Sequence, residues 1–170
     1  MSIEAEFLNY SSEKLGQLTD RIDECLDLLT PEQVWTRGGE KQNAIGNLVL
    51  HLAGNVRQWV LHAVGGEGDH RVRDVEFSTR EHISKDELKE RLHASVTSAR
   101  ALIESLNSAQ LMEIGTIQNY TVTKLWMIYH VVEHFSGHTG QIIFATKWMT
   151  GGEMGFYNHL SDKNHGHRVP

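Results

Sequence analysis

The chain has 170 residues, 16 of them Lys or Arg and 22 Asp or Glu, for a formal charge of −6; that length suits one domain able to bury its own core. The acidic balance, with carboxylates scattered, speaks against nucleic acid as a partner. A lone cysteine excludes an internal disulfide, and apolar runs broken well before the roughly 20 residues of a membrane span speak against a membrane protein.

The start, Met1-Ser-Ile-Glu-Ala-Glu-Phe, lacks the basic and apolar regions of a signal peptide. A cytoplasmic protein is therefore expected. The first helix runs from about Glu4 to Leu29, with Leu15, Leu18, Ile22, Cys25, Leu26 and Leu29 at the three-four spacing of one buried face. Thr30-Pro31-Glu32 reads as cap, first-turn proline and first-turn acid of a short helix ending near Trp35. After a polar loop, Asn43 is placed to cap a second long helix from about Ala44 to Val64, ended by Gly65-Gly66.

The following loop, from Gly65 to about Ile83, is rich in Gly, Asp and Arg. Its part from Gly65 to Arg80, with Asp69, Arg71, Arg73, Asp74 and Glu76, reads as a solvated connector, with capping of a pocket or contact to a polar cofactor as its functional alternative. Ser84-Lys-Asp-Glu87 forms a capping box for the third helix, whose buried stripe is Leu88, Leu92, Val96, Ala99, Ile103 and Leu106. A connector from about Ser108 to Tyr120 carries an extended stretch over Ile114 to Val122. The fourth helix spans roughly Val122 to Thr150 and stops at Gly151-Gly152. Residues 1–155 then form one domain, and 156–170, with His159, His165 and His167, read as a poorly ordered tail. The expected fold is all-α, a four-helix bundle with at least one crossover connection.

Charge placement singles out two of these helices. At about 100° per residue, Asn47, His51, Asn55, Gln58 and His62 share one lane of the second helix, where the only charge between Asn43 and Gly65 is Arg57, off that lane. On the fourth helix Met127, His130, His134, His138, Gln141, Ala145 and Trp148 share a lane avoided by Lys124, Glu133 and Lys147. Charge-poor helices are buried helices, so both lanes are expected to face inward and meet.

His134 and His138 stack one turn apart, and His51 from the facing helix adds a third imidazole, the ligand set of one divalent metal with coordination positions left open. Asn47, Asn55 and Gln141 are candidates to receive the second N–H of each ligand or to orient substrate. His130 reads as a pocket residue or as packing. The alternative is a metal-free hydrogen-bond network of the same histidines with Asn47, Asn55 and Gln141. No HExxH or GxSxG motif occurs, Cys25 lies on an apolar stripe as an inert core thiol, and no buried Asp or Glu stands out beside the three histidines.

The segments Gly46-Asn-Leu-Val-Leu-His51-Leu-Ala-Gly-Asn55 and Trp126-Met-Ile-Tyr-His130-Val-Val-Glu-His134-Phe-Ser-Gly-His138-Thr-Gly-Gln141 resemble the DinB/YfiT-like superfamily of four-helix-bundle metalloproteins, in a likeness covering nearly the whole chain. The resemblance implies an up-up-down-down bundle and a three-histidine site for zinc, nickel, iron or manganese. It also implies frequent homodimers. Characterised relatives include S-transferases of low-molecular-weight thiols and a thiol-dependent maleylpyruvate isomerase, and others have been proposed as hydrolases. Thr139 stands where many relatives have Arg, so contacts of that Arg do not carry over.

Three neutral imidazoles leave the ion its full charge, which acidifies a thiol or water bound beside them. With no free carboxylate in view as a base, the leading expectation is a thiol-dependent S-transferase acting on a small molecule. A hydrolase using metal-bound hydroxide, or a non-catalytic metal-binding or dimerisation bundle, are the alternatives.

Overall fold

The computed structural model describes residues 2–80, 83–163 and 166. Four long helices carry the fold: α1 (Ile3–Leu28), α3 (Ile45–Val56, continued by a π-helical stretch Arg57–Val64), α5 (Lys85–Ser105) and α7 (Lys124–Thr150). Shorter helices α2 (Pro31–Val34), α4 (Arg73–Ser78) and α6 (Ser108–Leu111) lie in the connections. The extended stretch before α7 is an antiparallel hairpin, β1 (Ile114–Ile117) with β2 (Tyr120–Thr123), whose turn places Gln118 and Asn119 at positive φ. Among the described residues no helix is long and apolar enough to cross a membrane.

Local chemistry explains most boundaries. Ser2, Thr30, Ser84, Asn107 and Thr123 each accept an N–H of the helix they precede, and Gly151 ends α7 in the left-handed conformation at φ 67. The start of α3 departs from expectation. Asn43 does not cap it; Ala44 occupies the cap position, and Asn47, one turn in, turns its Oδ1 back to accept the Ala44 N–H. A buried asparagine thus satisfies the buried Ala44 N–H from inside the helix.

The core is built from the predicted stripes: Leu15, Ile22 and Leu26 of α1, Val49 and Leu52 of α3, Leu88, Leu92 and Ile103 of α5, and Met127, Val131 and Phe135 of α7 are all buried. Each of α1 and α3 packs against both α5 and α7. Helix directions follow from the contacts. Asp27 meets Lys89, Asp23 meets His93 and Ser12 meets Arg100, so α1 and α5 run antiparallel. Trp35 touches both Gly46 and Ile83 at one end, while Gly65 adjoins Leu102 at the other, so α3 and α5 run parallel. His51 meets His134 and Trp59 meets Trp126, so α7 opposes α3. The order is therefore up-down-down-up, and the up-up-down-down order taken from the resemblance is corrected.

This direction has a consequence for the loop after α3. Parallel neighbours need a connection that retraces the helix, and α3 with its π stretch, 12 and 8 residues, is roughly 30 Å long. Residues 65–84 are more than enough to cover that distance extended, and the excess is folded into α4, which packs along α3. Most of the crossover is exposed to solvent, but Arg71, Glu76 and Phe77 turn inward onto the helix that carries His51.

The described part of the C-terminal segment folds back on the bundle. Met154 Sδ lies 3.9 Å from Cys25 Sγ, Arg21 lies over the rings of Phe156 and Tyr157, and Asn158–Ser161 form a 3-10 turn. Burial pushes the Cys25 thiol up to about 11. His165 and His167 lie outside the described residues.

Candidate metal centre

His51, His134 and His138 come together between α3 and α7, each offering a ring nitrogen within 4.8 Å of the others. His51 is buried, and the two α7 histidines are half-buried. His51 Nε2 and His134 Nε2 are 2.9 Å apart, and the His138 ring stands edge-on to both partners. Two nitrogens each about 2.1 Å from one ion, at a right angle, stand about 3.0 Å apart. The spacing of the first pair suits a shared cation.

The hydrogen bonds around the rings set their tautomers. His138 Nδ1 donates to Gln141 Oε1 at 2.8 Å, and His51 Nδ1 donates to Glu76 Oε2 at 2.9 Å. With Nδ1 protonated on both, each Nε2 carries a lone pair. Burial, followed by repulsion from His138, His51, His130 and Arg71, holds His134 down at about 3. Burial also lowers His138, against the opposing effect of the hydrogen bond it donates to Gln141. Three imidazole donors, two of them with the far nitrogen engaged, are a set that fits a divalent transition metal.

Glu76 stands among the charged residues of the loop that could cap a pocket, but nothing in the sequence singled it out as a partner of His51. It belongs to α4, is buried, and its carboxylate is clamped by Arg71, Nε to Oε1 at 2.7 Å and Nη2 to Oε2 at 2.8 Å. Burial alone would raise the Glu76 carboxyl; the bonds from Arg71 and His51 outweigh it and hold it below the usual range. The pair lies across Gly54, where any Cβ would collide with the Glu76 carboxylate. Gly54 stands three residues after His51, so the same face of α3 supplies a ligand and the gap that admits its carboxylate partner.

The other expected residues divide. Gln141 contacts a histidine, as anticipated for an orienting group. Asn47 contacts none: its Nδ2 donates to the carbonyls of Glu76 and Thr79, so it fastens the end of α4 to α3. Asn55 is buried one turn beyond His51. Gln58 and His62 leave the site: Gln58 bonds Asp69, Arg71 and Gln118, and His62 bonds the Glu67 carbonyl. His130 stacks between Trp126 (5.5 Å, 12°) and His134 (5.6 Å, 29°) and contacts Trp59 at 4.4 Å, and burial lowers its pKa.

The α7 lane is not uniformly inward. The helix's buried seam is Met127, Val131, Phe135, Thr139, Ile142 and Thr146, with the histidines on its flank; Gln141 and Trp148 are exposed. A cavity of about 720 Å³ lies behind the Arg71–Glu76 pair, between the crossover, α3 and α5, and none of the three histidines lines it. The cluster itself opens directly at the surface beside α4.

Bundle and histidine cluster together define a DinB-like helical protein. Among solved structures, a conserved protein from Enterococcus faecalis is similar at TM-score 0.70 and 18% identity, over 89% of this chain and 99% of that one. A DinB-like protein, YjoA, from Bacillus subtilis is similar at 0.64 and 15%, over 84% and 94%. A DinB-like protein from Bacillus cereus follows at 0.62 and 16%, over 79% and 87%. At these identities the likeness concerns the fold. Residues 2–161 match the family described as protein of unknown function DUF1572, a DinB-like family, and the chain belongs to it. No curated protein matches the chain.

Proposed function

We propose that the chain is a cytoplasmic enzyme dependent on a divalent metal held by His51, His134 and His138, and that it transfers a small-molecule thiol to an electrophile. The convergence of three neutral imidazoles at a half-open surface carries this reading. His51, His134 and His138 would hold the cation, zinc, nickel, iron or manganese, and when bound it would supply acidification of a thiol. In the transfer, the sulfur would bond to the electrophilic carbon as the leaving group departs with its bonding electrons and the thiol proton passes to solvent.

The protein's part is positional. Glu76 and Gln141 hold the His51 and His138 rings in the tautomer that presents Nε2. Both Glu76 oxygens are taken by Arg71 and His51, so this carboxylate is not free to serve as a general base. That favours thiol transfer over hydrolysis, which calls for a base or a strongly activated water.

We further propose that two copies pair through the outer face of α7. Tyr129, Phe144 and Trp148 are 61%, 74% and 78% exposed there, and added Cβ atoms on Gly137 and Gly140 meet only open space. That face of α7 presents exposed aromatics with close-approach positions between them, flanked by the charges of Glu133 and Lys147. Sedimentation of the wild type and of Phe144→Lys/Trp148→Lys tests it: a monomer in both removes the dimer.

Metal analysis of untagged protein and a thiol-conjugation screen against chloronitrobenzene-type electrophiles test the activity. Bound metal with thiol-dependent turnover, both lost in His138→Ala, is the expected outcome. Turnover of esters or amides without thiol, lost in the same variant, would move the assignment to a hydrolase. Bound metal without either activity would leave a non-catalytic metal bundle.

A further inference from the structure

We infer that Arg73 and Phe77 of α4 form an anion subsite at the mouth of the histidine cluster, and that the thiol cosubstrate carries a carboxylate received by this guanidinium. The inference rests on the thiol reading above and names the chemistry of its cosubstrate.

Phe77 joins the two parts. Its ring lies 4.8 Å from the His51 ring, tilted by 39°, and the Arg73 guanidinium carbon lies 4.8 Å from the centre of the same ring. Two short steps therefore lead from a metal-facing imidazole to a cation. Phe77 is half-buried and Arg73 exposed, so the line runs from the protein interior out to solvent.

The cations of the crossover are otherwise employed. Arg71 is committed to Glu76 and Gln58, and Arg80 donates to the carbonyls of Phe77, Ser78 and Thr79. Among the described residues no carboxylate lies within ion-pair distance of Arg73. Asp74 follows it in the helix, turned about 100° away. Across the site, α7 presents the neutral Gln141 amide on His138; its one nearby acid, Glu133, lies 4.0 Å from His130 with its side chain 68% exposed.

The aromatic face holds the guanidinium in place without consuming its N–H groups. A planar donor fork fixed in this way is suited to a carboxylate, which it engages through two parallel hydrogen bonds. A ligand with sulfur at the histidines and its carboxylate at Arg73 would lay its chain across Phe77. A neutral thiol would forgo that contact.

The test uses full-length protein loaded with Co²⁺, whose visible absorption reports ligands entering the metal site. It is titrated with 6-mercaptohexanoate and with 6-mercaptohexanol, equal in length and differing in charge. The expected result is about fivefold tighter binding of the acid, a preference that shrinks as salt is raised. In Arg73→Gln the preference disappears, while mercaptohexanol binds as in the wild type and cobalt content is unchanged; Arg73→Lys retains part of it. Equal affinities in the wild type, or a preference that survives Arg73→Gln, would overturn the subsite and leave the thiol reading standing. If neither thiol perturbs the spectrum, both are overturned.

Discussion

The histidine–carboxylate pairs His93–Asp23 and His51–Glu76 are set apart by their surroundings. On the α1–α5 seam, His93 meets Asp23 at 2.6 Å with side chains 47% and 22% exposed. On the α3–α7 side, His51 meets Glu76 at 2.9 Å with side chains 6% and 10% exposed. The first bridges two helices already joined by an apolar stripe, at a seam where water reaches His93 more than Asp23 and screens the pair in part. The second is enclosed, tied to a buried arginine, and turns the free nitrogen of its histidine toward two more imidazoles. The same chemical pair is a surface fastener in one place and part of a ligand-positioning network in the other.

The contrast is broken most decisively by removing a ligand. His138→Ala leaves two imidazoles, and metal affinity measured against a chromophoric chelator should fall by more than the roughly 10- to 100-fold that loss of an outer partner costs. Unchanged affinity would mean that the cation does not sit among these rings. Glu76→Gln is expected next: metal affinity falls roughly 10- to 100-fold, and stability falls by about 3 kcal/mol because Arg71 is left buried with its charge uncompensated. The double change Glu76→Gln/Arg71→Met should recover much of the stability in urea melts and none of the affinity. Recovery of both would make Glu76 a purely structural group.

The long helices and the three histidines were legible because each is written in local periodicity: stripes at three-four spacing and two imidazoles one turn apart. Glu76 was not. Val72 to Ser78 is too short to show a period, and its partner is 25 residues away in sequence. What brings them together is the parallel course of α3 and α5, a property of whole-helix packing. One local sign was present: Gly54 stands in a buried helix three residues after His51, and a glycine there marks close approach by another group. The α7 lane failed differently. Scarcity of charge was read as burial, yet within that lane Gln141 and Trp148 are exposed, so a lane without charge is not necessarily an interior one.

Gly54→Ala sharpens the contrast through packing alone. Within a helix the change ordinarily stabilises by up to about 1 kcal/mol; here the new methyl group displaces the Glu76 carboxylate, and a cost of about 1 to 3 kcal/mol is expected. A stabilised variant with unaltered metal affinity would show that Glu76 does not need this slot. Acid titration of the metal-free protein examines the same network. His134 is held at about 3 when folded against 6.5 for the free group, so below pH 6.5 the unfolded chain binds a proton that the folded chain refuses. Stability from this group is therefore complete above about 6.5 and declines as pH falls toward 3. His134→Phe should flatten that part of the profile, and a slope that persists would place its origin in other groups.

The smallest effect belongs to the surface pair, and its smallness is what gives the comparison content. Asp23→Asn keeps the shape of the side chain, removes its charge beside His93, and is expected to change stability by less than about 1 kcal/mol and metal affinity not at all. The α1–α5 seam retains Leu15, Ile22, Leu88 and Leu92 beneath it, all buried, so the apolar contact persists when the pair is neutralised. A loss of metal affinity in Asp23→Asn matching that of Glu76→Gln would mean that binding responds to global loosening of the bundle. Burial and the Arg71 clamp would then no longer explain what distinguishes Glu76, and its role would have to be sought in stability alone.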